Sequence, residues 1–378
     1  MSNREQLAHN PNNKGHKSNY RSVIAQTLHY MSRPHSGIAQ QPVQSKAAWR
    51  SSELLKADQD WQQALTEEDI AELDQALQHT KSLGKPTGAL KKDDFPLPTL
   101  SKKIAQWRAE LKIGRGFQVI SGVPVERWGR EDSEIFFWCF GLHLGIPGAQ
   151  NEDGDLLGHV RDLNAPIDDK DTRLYKTNAN IEYHCDAADV VGLLCLNKAK
   201  TGGKSRIVSS VAVYNEVLRR RSDLIHILYQ PMLVDTFGEG GVNYFPVVPC
   251  RYHKGQLRTF YHIDYFRSAR NYNGVRAFNN AEEELLNLYQ EVASNADFYL
   301  DMDLQPGDIQ LLSNHSNLHA RTDYVDYQDP ARKRHLLRLW TSLPRENDAL
   351  TKWLTVTDKV KLVSSIIKEK VRYKFGAQ

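Results

Sequence analysis

The sequence predicts an α+β fold that is mainly β: a double-stranded β-helix (jelly roll) core with flanking helices and a helical N-terminal part. Three observations predict it. Helical periodicity dominates up to about residue 143. From about Asn180 the pattern changes to short β-branched and aromatic runs punctuated by Gly, Pro and Asn. Those runs lack the regular strand–helix alternation of a parallel sheet, which points to a sandwich or jelly roll instead of a dinucleotide-binding sheet.

The elements follow in order. Residues 1–45 are rich in Asn, Gln, Ser, His and Lys, without sustained apolar periodicity, and predict a polar, disordered arm whose His9, His16, His29 and His35 are solvated. Residues 46–378 then form one jelly-roll domain. Thr66 before Glu67, Glu68 and Asp69 is an N-cap with an acidic first turn, Leu65 and Ile70 make a staple, and Gly84 with Pro86 ends the helix. A second helix runs from Leu100 to Leu111 and stops at Gly114; the strand GFQVISGVPV and a third helix over Glu131–His143 follow. The strand candidates are VVGLLCL, SRIVSS, VNYFPVVP, QLRTFYHID, DFYLDMDL, DIQLLSN and RHLLRLW, interrupted by helices near Ala212–Tyr229 and Ala281–Ser294. TDKVKLVSSIIKEKVRYKF closes the chain as a basic amphipathic helix on the barrel flank.

Composition narrows the function classes. The 378 residues are 40% hydrophobic and 25% charged, with 49 basic against 46 acidic side chains, a net +3. So small and mixed a charge argues against a nucleic-acid partner. No apolar run approaches a membrane span, and the first residues lack the apolar segment of a signal peptide. Cys139, Cys185, Cys195 and Cys250 are scattered, which fits reduced thiols and a cytoplasmic location.

Metal chemistry enters through His-x-Asp. At the end of an extended strand, residues i and i+2 face one side, so a His and a carboxylate at that spacing reach one ion. With a His from a later strand they make the 2-His-1-carboxylate triad of non-haem Fe(II) oxygenases, which leaves coordination positions open. With 14 histidines and 46 acidic residues, roughly two chance matches are expected. There are two, His184-Cys185-Asp186 and His262-Ile263-Asp264, and both follow or lead into strands. Downstream, both His315 and His319 are candidate third ligands. Arg334 and Arg338 share one face if RHLLRLW is a regular strand, and inward arginines in an apolar strand call for anions. Cys185 is expected to point away from the metal, and Tyr265 or Arg267 to line the substrate mouth.

Together, YHCDAADVVGLLCL, TGGKSRIVSS, YNEV, LQPGDIQLLSN and RHLLRLW resemble the taurine dioxygenase family (TauD/TfdA-like) of Fe(II)- and 2-oxoglutarate-dependent oxygenases, from residue 114 to residue 344. The resemblance implies that His184, Asp186 and His319 hold iron and disfavours His315. It implies that Arg334, with Ser205, holds the distal carboxylate of 2-oxoglutarate, and that Arg338 and Asn180 contact the substrate. The implied reaction consumes dioxygen and 2-oxoglutarate, releases succinate and carbon dioxide, and oxidises a C–H bond of a small anionic or zwitterionic metabolite. Two other readings remain: a jelly-roll iron oxygenase that does not use 2-oxoglutarate, and a non-catalytic metabolite-binding jelly roll.

Overall fold

The computed structural model describes residues 20–56, 60–151, 154–166, 173–238 and 242–344; the C-terminal amphipathic segment lies outside them. Two β-sheets face each other. The larger orders its strands Gln62–Ala64, Phe117–Ser121, Ile309–Ser313, Val190–Asn197, His335–Ser342 and Ile146–Gly148, with Gly158–Val160 also pairing with His335–Ser342. The smaller runs Tyr299–Met302, Ser205–Ser209, Asn317–Arg321 and Ile181–His184. Every pairing in these two sheets is antiparallel except that of Gln62–Ala64 with Phe117–Ser121.

Strand alternation divides the side chains between three cores. Phe117, Val119, Val191, Cys195, Leu312 and Leu336 of the larger sheet meet Ile207, Leu300 and Met302 of the smaller one in the sandwich interior. The alternate residues Ile120, Val190, Leu194, Leu311, Leu337 and Leu339 face outward under the helices Glu67–Ser82, Leu100–Ile113 and Val125–Leu144. Val208, Leu318 and Ala320 face outward from the smaller sheet against Ser210–Arg220 and Asn280–Ala293. Gly141 marks how closely helix and sheet pack: a Cβ there would lie 2.3 Å from Leu339 Cδ2.

The helix starts read from sequence are present. Thr66 and Asp69 form a reciprocal capping box at Glu67–Ser82, and Gly114 caps Leu100–Ile113. The third helix begins earlier than expected, at Val125, and kinks at Gly129 with φ +73°.

The N-terminal arm departs from expectation. Its described part carries a helix, Val23–Met31, capped by Ser22 and docked on the core. The anchor is Asp189, 1% exposed, which accepts from His29 Nε2 at 2.9 Å and from Leu343 N at 2.8 Å, pairs with Arg33, and lies 2.9 Å from His315 Nε2. Tyr30 stacks on His315 and donates to the Asn314 carbonyl at 2.9 Å. His29 is therefore buried, whereas His35 is exposed as expected. A buried carboxylate needs such partners, and it lies about 160 positions from the arm in sequence.

Burial disfavours ionisation of Asp189, but Arg33 and the hydrogen bonds with His29 and His315 hold its pKa well below the usual carboxylate range. A depressed folded pKa gives stability that is present above the unfolded value, near pH 4, and lost as pH falls toward the folded one. Asp189→Asn is expected to cost about 3 kcal/mol in urea denaturation at pH 7, the scale for breaking a buried ion pair. The gap to the parent protein should narrow below about pH 4; a gap unchanged down to about pH 3 would contradict this account.

Candidate active site

The strand Asn317–Arg321 sets His319 directly opposite His184. Their ring centroids are 4.1 Å apart, and His319 Nε2 is 3.6 Å from Asp186 Oδ2. One donor atom from each of His184, Asp186 and His319 lies within 4.8 Å of the others, the one such cluster of metal-binding residue types among the described residues. His184 Nδ1 is 2.8 Å from the Glu182 carbonyl, which can only accept, so Nδ1 donates and Nε2 is the ring atom left for a metal. Burial, aided by His184, pushes the His319 pKa down to about 3 and keeps that ring neutral.

Asp186 lies in the turn between two strands and is held from three sides. Its backbone N donates to Asn314 Oδ1 at 3.1 Å, Trp340 Nε1 donates to Oδ2 at 3.0 Å, and Arg338 Nη1 stands 3.8 Å from Oδ1. Burial raises its pKa, but Arg338, His319, His184 and the Trp340 hydrogen bond more than offset this, leaving it below the ordinary value. Cys185 sits on the opposite side, in the helix-lined core, as alternation requires; burial lifts its thiol to about 12.

The second His-x-Asp pair is separated by secondary structure. His262 bridges to His184 across the sheet, but Ile263–Ser268 is a helix, so Asp264 turns away from the extended i, i+2 geometry. His262 instead stacks on Tyr265 at 3.5 Å, which brings Tyr265 near the site, while Arg267 donates to Asn287 Oδ1 at the exposed surface. His315 belongs to the Asp189 network.

Arg334 is buried and Arg338 half-buried, four residues apart along the strand direction. Arg334 precedes His335–Ser342, and a register shift lies between His335 and Leu336. Arg334 is 5% exposed, donates from Nη2 to the Gly203 carbonyl at 3.3 Å, and keeps a buried Nη1 without a partner. Arg338 donates from Nε to Gln150 Oε1 at 2.7 Å and lies over the rings of Tyr175 and Trp340. Ser205 is buried in the interior, and its hydroxyl donates across the sandwich to Gln310 Oε1 at 2.9 Å. Asn180 is exposed and donates to Glu182 at 2.8 Å. Sequence reasoning missed Asn314, Trp340, Gln150, Asp189 and Arg321. Trp340 alone had a local signal, standing two residues after Arg338 on the same strand face.

The chain belongs to the family described as Taurine catabolism dioxygenase TauD, TfdA, whose model matches residues 79–340, and is a 2-oxoglutarate-dependent non-haem iron dioxygenase. It is 32% identical to the FR-33289 synthase of Streptomyces rubellomurinus, over 81% of this chain and 92% of that protein. It is 29% identical to a taurine hydroxylase-like protein, SAT17, of Stachybotrys chartarum, over 77% of each. Among solved structures, an asparagine oxygenase with Fe(II), 3-hydroxyasparagine and succinate shares the fold at TM-score 0.59 and 17% identity, covering 75% of this chain and 93% of that one. The iron oxygenase OrfP, crystallised with Fe and alpha-ketoglutaric acid, aligns at TM-score 0.54 and 16% identity, covering 76% and 96%.

Gly203 (φ +68°) lets the Arg334 side chain lie against the backbone, since a Cβ there would stand 2.9 Å from Arg334 Nε. Gly203→Ala should lower stability by about 1–2 kcal/mol through left-handed strain. Thermal melting of the variant against the parent protein checks this.

Proposed function

We propose that His184, Asp186 and His319 hold the ferrous ion, that Arg334 with Ser205 grips the distal carboxylate of 2-oxoglutarate, and that the reaction hydroxylates a small anionic or zwitterionic metabolite met by Arg338. The observation that carries this reading is the buried, unpartnered Nη1 of Arg334, enclosed in the same fold as three convergent metal donors. The donor set fits: two imidazoles and a carboxylate suit non-haem iron and leave positions for other ligands. Held there, iron and 2-oxoglutarate would supply the activation of dioxygen, one atom of which goes to the C–H bond and the other to succinate as carbon dioxide leaves.

The chain's own residues orient and exclude. The Glu182 carbonyl fixes the His184 ring, and Trp340 and Asn314 fix Asp186. The apolar sandwich interior keeps water from the reacting centre. Arg338, beside Asp186 and between two aromatic rings, is suited to a substrate anion. Relatives named for taurine and asparagine, and OrfP crystallised with hydroxy-L-Arg, support a small zwitterion. Contact from Asn180 would require its bond to Glu182 to open. No described helix is long and apolar enough to cross a membrane, and four buried free thiols support a cytoplasmic setting.

Anaerobic protein given Fe(II) and then 2-oxoglutarate should develop a weak visible charge-transfer band. His184→Ala and Asp186→Ala should lose iron binding, and Arg334→Ala should weaken 2-oxoglutarate by about a hundredfold, the upper range for a charged hydrogen bond. Folded protein that binds iron yet shows no band would refute the assignment. For the substrate, a succinate-release screen of small amino and sulfonic acids comes first. Arg338→Gln should then raise the KM of the coupled substrate about tenfold to a hundredfold while that of 2-oxoglutarate stays put.

A further inference from the structure

The interior holds a second guanidinium whose charge the fold leaves unanswered. Arg321 is 6% exposed and lies two residues beyond His319 on Asn317–Arg321, so both project from the same strand face. The register with Ser205–Ser209 confirms the side: His319 pairs with Ile207, an interior residue, and Arg321 pairs with Ser205. Arg321 Nη2 donates to the carbonyls of Thr177 at 2.9 Å, Leu174 at 3.3 Å, and Ala179. Its Nε and Nη1 are buried and have no partner.

Arg334 stands nearby. Tyr324 serves both cations, with its ring centroid 5.0 Å from the Arg321 Cζ and 5.1 Å from the Arg334 Cζ. Neither guanidinium forms an ion pair among the described residues, and between them three buried N–H-bearing atoms lack acceptors. Burial, with Arg334 as the next cause, lowers the Arg321 pKa to about 10, and Tyr324 and Asp162 offset this only in part. Unsatisfied buried donors on one residue could be local accident. Two neighbouring arginines that share one aromatic ring and both lack an anion describe a pocket for one.

We propose that Arg321 is a second anion-binding residue of the cosubstrate pocket. Its free Nε–H and Nη1–H groups serve the distal carboxylate together with Arg334, while Nη2 clamps the Leu174–Ala179 segment that leads into the His184 strand. The inference rests on the reading that Arg334 binds that carboxylate.

The test pairs each variant with two ligands. Anaerobic, Fe(II)-loaded full-length protein is titrated calorimetrically with 2-oxoglutarate and with 2-oxovalerate, which has the same chain length but ends in a methyl group. Arg321→Gln should weaken 2-oxoglutarate about tenfold to a hundredfold and leave 2-oxovalerate unchanged. Arg321→Lys, which keeps the charge, should recover part of the loss and carries the comparison if the Gln variant does not fold. Equal weakening of both ligands in the Arg321 variants, with Arg334→Gln still selective for 2-oxoglutarate, overturns the proposal and leaves the cosubstrate reading intact. A parent protein that does not distinguish the two ligands overturns both.

Discussion

The site depends on one antiparallel pairing. Because Asn317–Arg321 is registered with Ile181–His184 so that His319 meets His184, two imidazoles from segments 135 positions apart reach one point. A slip of one residue would turn His319 and Arg321 into the helix-lined core and Leu318 and Ala320 into the interior. The outward residues prevent it: Leu318, Ala320 and Val208 are buried against the helices, and moving them inward would expose a helix face to polar groups. Hydrophobic burial on one side of the sheet therefore fixes metal geometry on the other.

The third donor has no such ladder to rely on, since Asp186 sits past the strand end. Its support comes from the turn that links Ile309–Ser313 to Asn317–Arg321. Asn314, fully buried, accepts from the Asp186 backbone and donates to the Ala188 carbonyl at 3.0 Å, so one amide spans the turn. Asp189 then fastens the far end of that turn to the N-terminal helix and to Leu343. The helix Val23–Met31 is thus part of the scaffold behind the site, although it lies outside the stretch that the family model matches.

How much of this could be read from the sequence follows the range of the interactions. Glu67–Ser82 was legible to its cap because Thr66 and Asp69 are three residues apart. The strands were legible because alternation is local. His184, Asp186 and His319 were legible only with family motifs, since the count of His-x-Asp pairs is that of chance and the helix that disqualifies Asp264 had no clear sequence signal. Arg321, Asn314 and Asp189 were illegible for a single reason: each is an ordinary polar residue until partners more than 100 positions away arrive. Val23–Met31 was missed likewise, its docking set by buried polar contacts instead of an apolar stripe. Arg334 and Arg338 keep the spacing that alternation expects, because the extra residue of the register shift falls in the partner strand Val190–Asn197 and not between the two arginines.

Charge ties these parts together. Arg321, Arg334 and Arg338 bring three cations around a site where Asp186 is the one carboxylate among the proposed ligands, with Asp162 and Asp326 giving partial relief. Such a site resists a divalent cation by itself, because like charges in a poorly solvated interior repel more strongly than in water. A dicarboxylate relieves that repulsion at the arginines while its other end meets the metal, so each ligand improves the affinity of the other, and by linkage the improvement is reciprocal. On the proposed reading, Arg338 would then be left to meet an anionic group of the substrate. Arginines that are costly to bury would, on the same reading, be the means by which metal, cosubstrate and an anionic substrate are selected as a set.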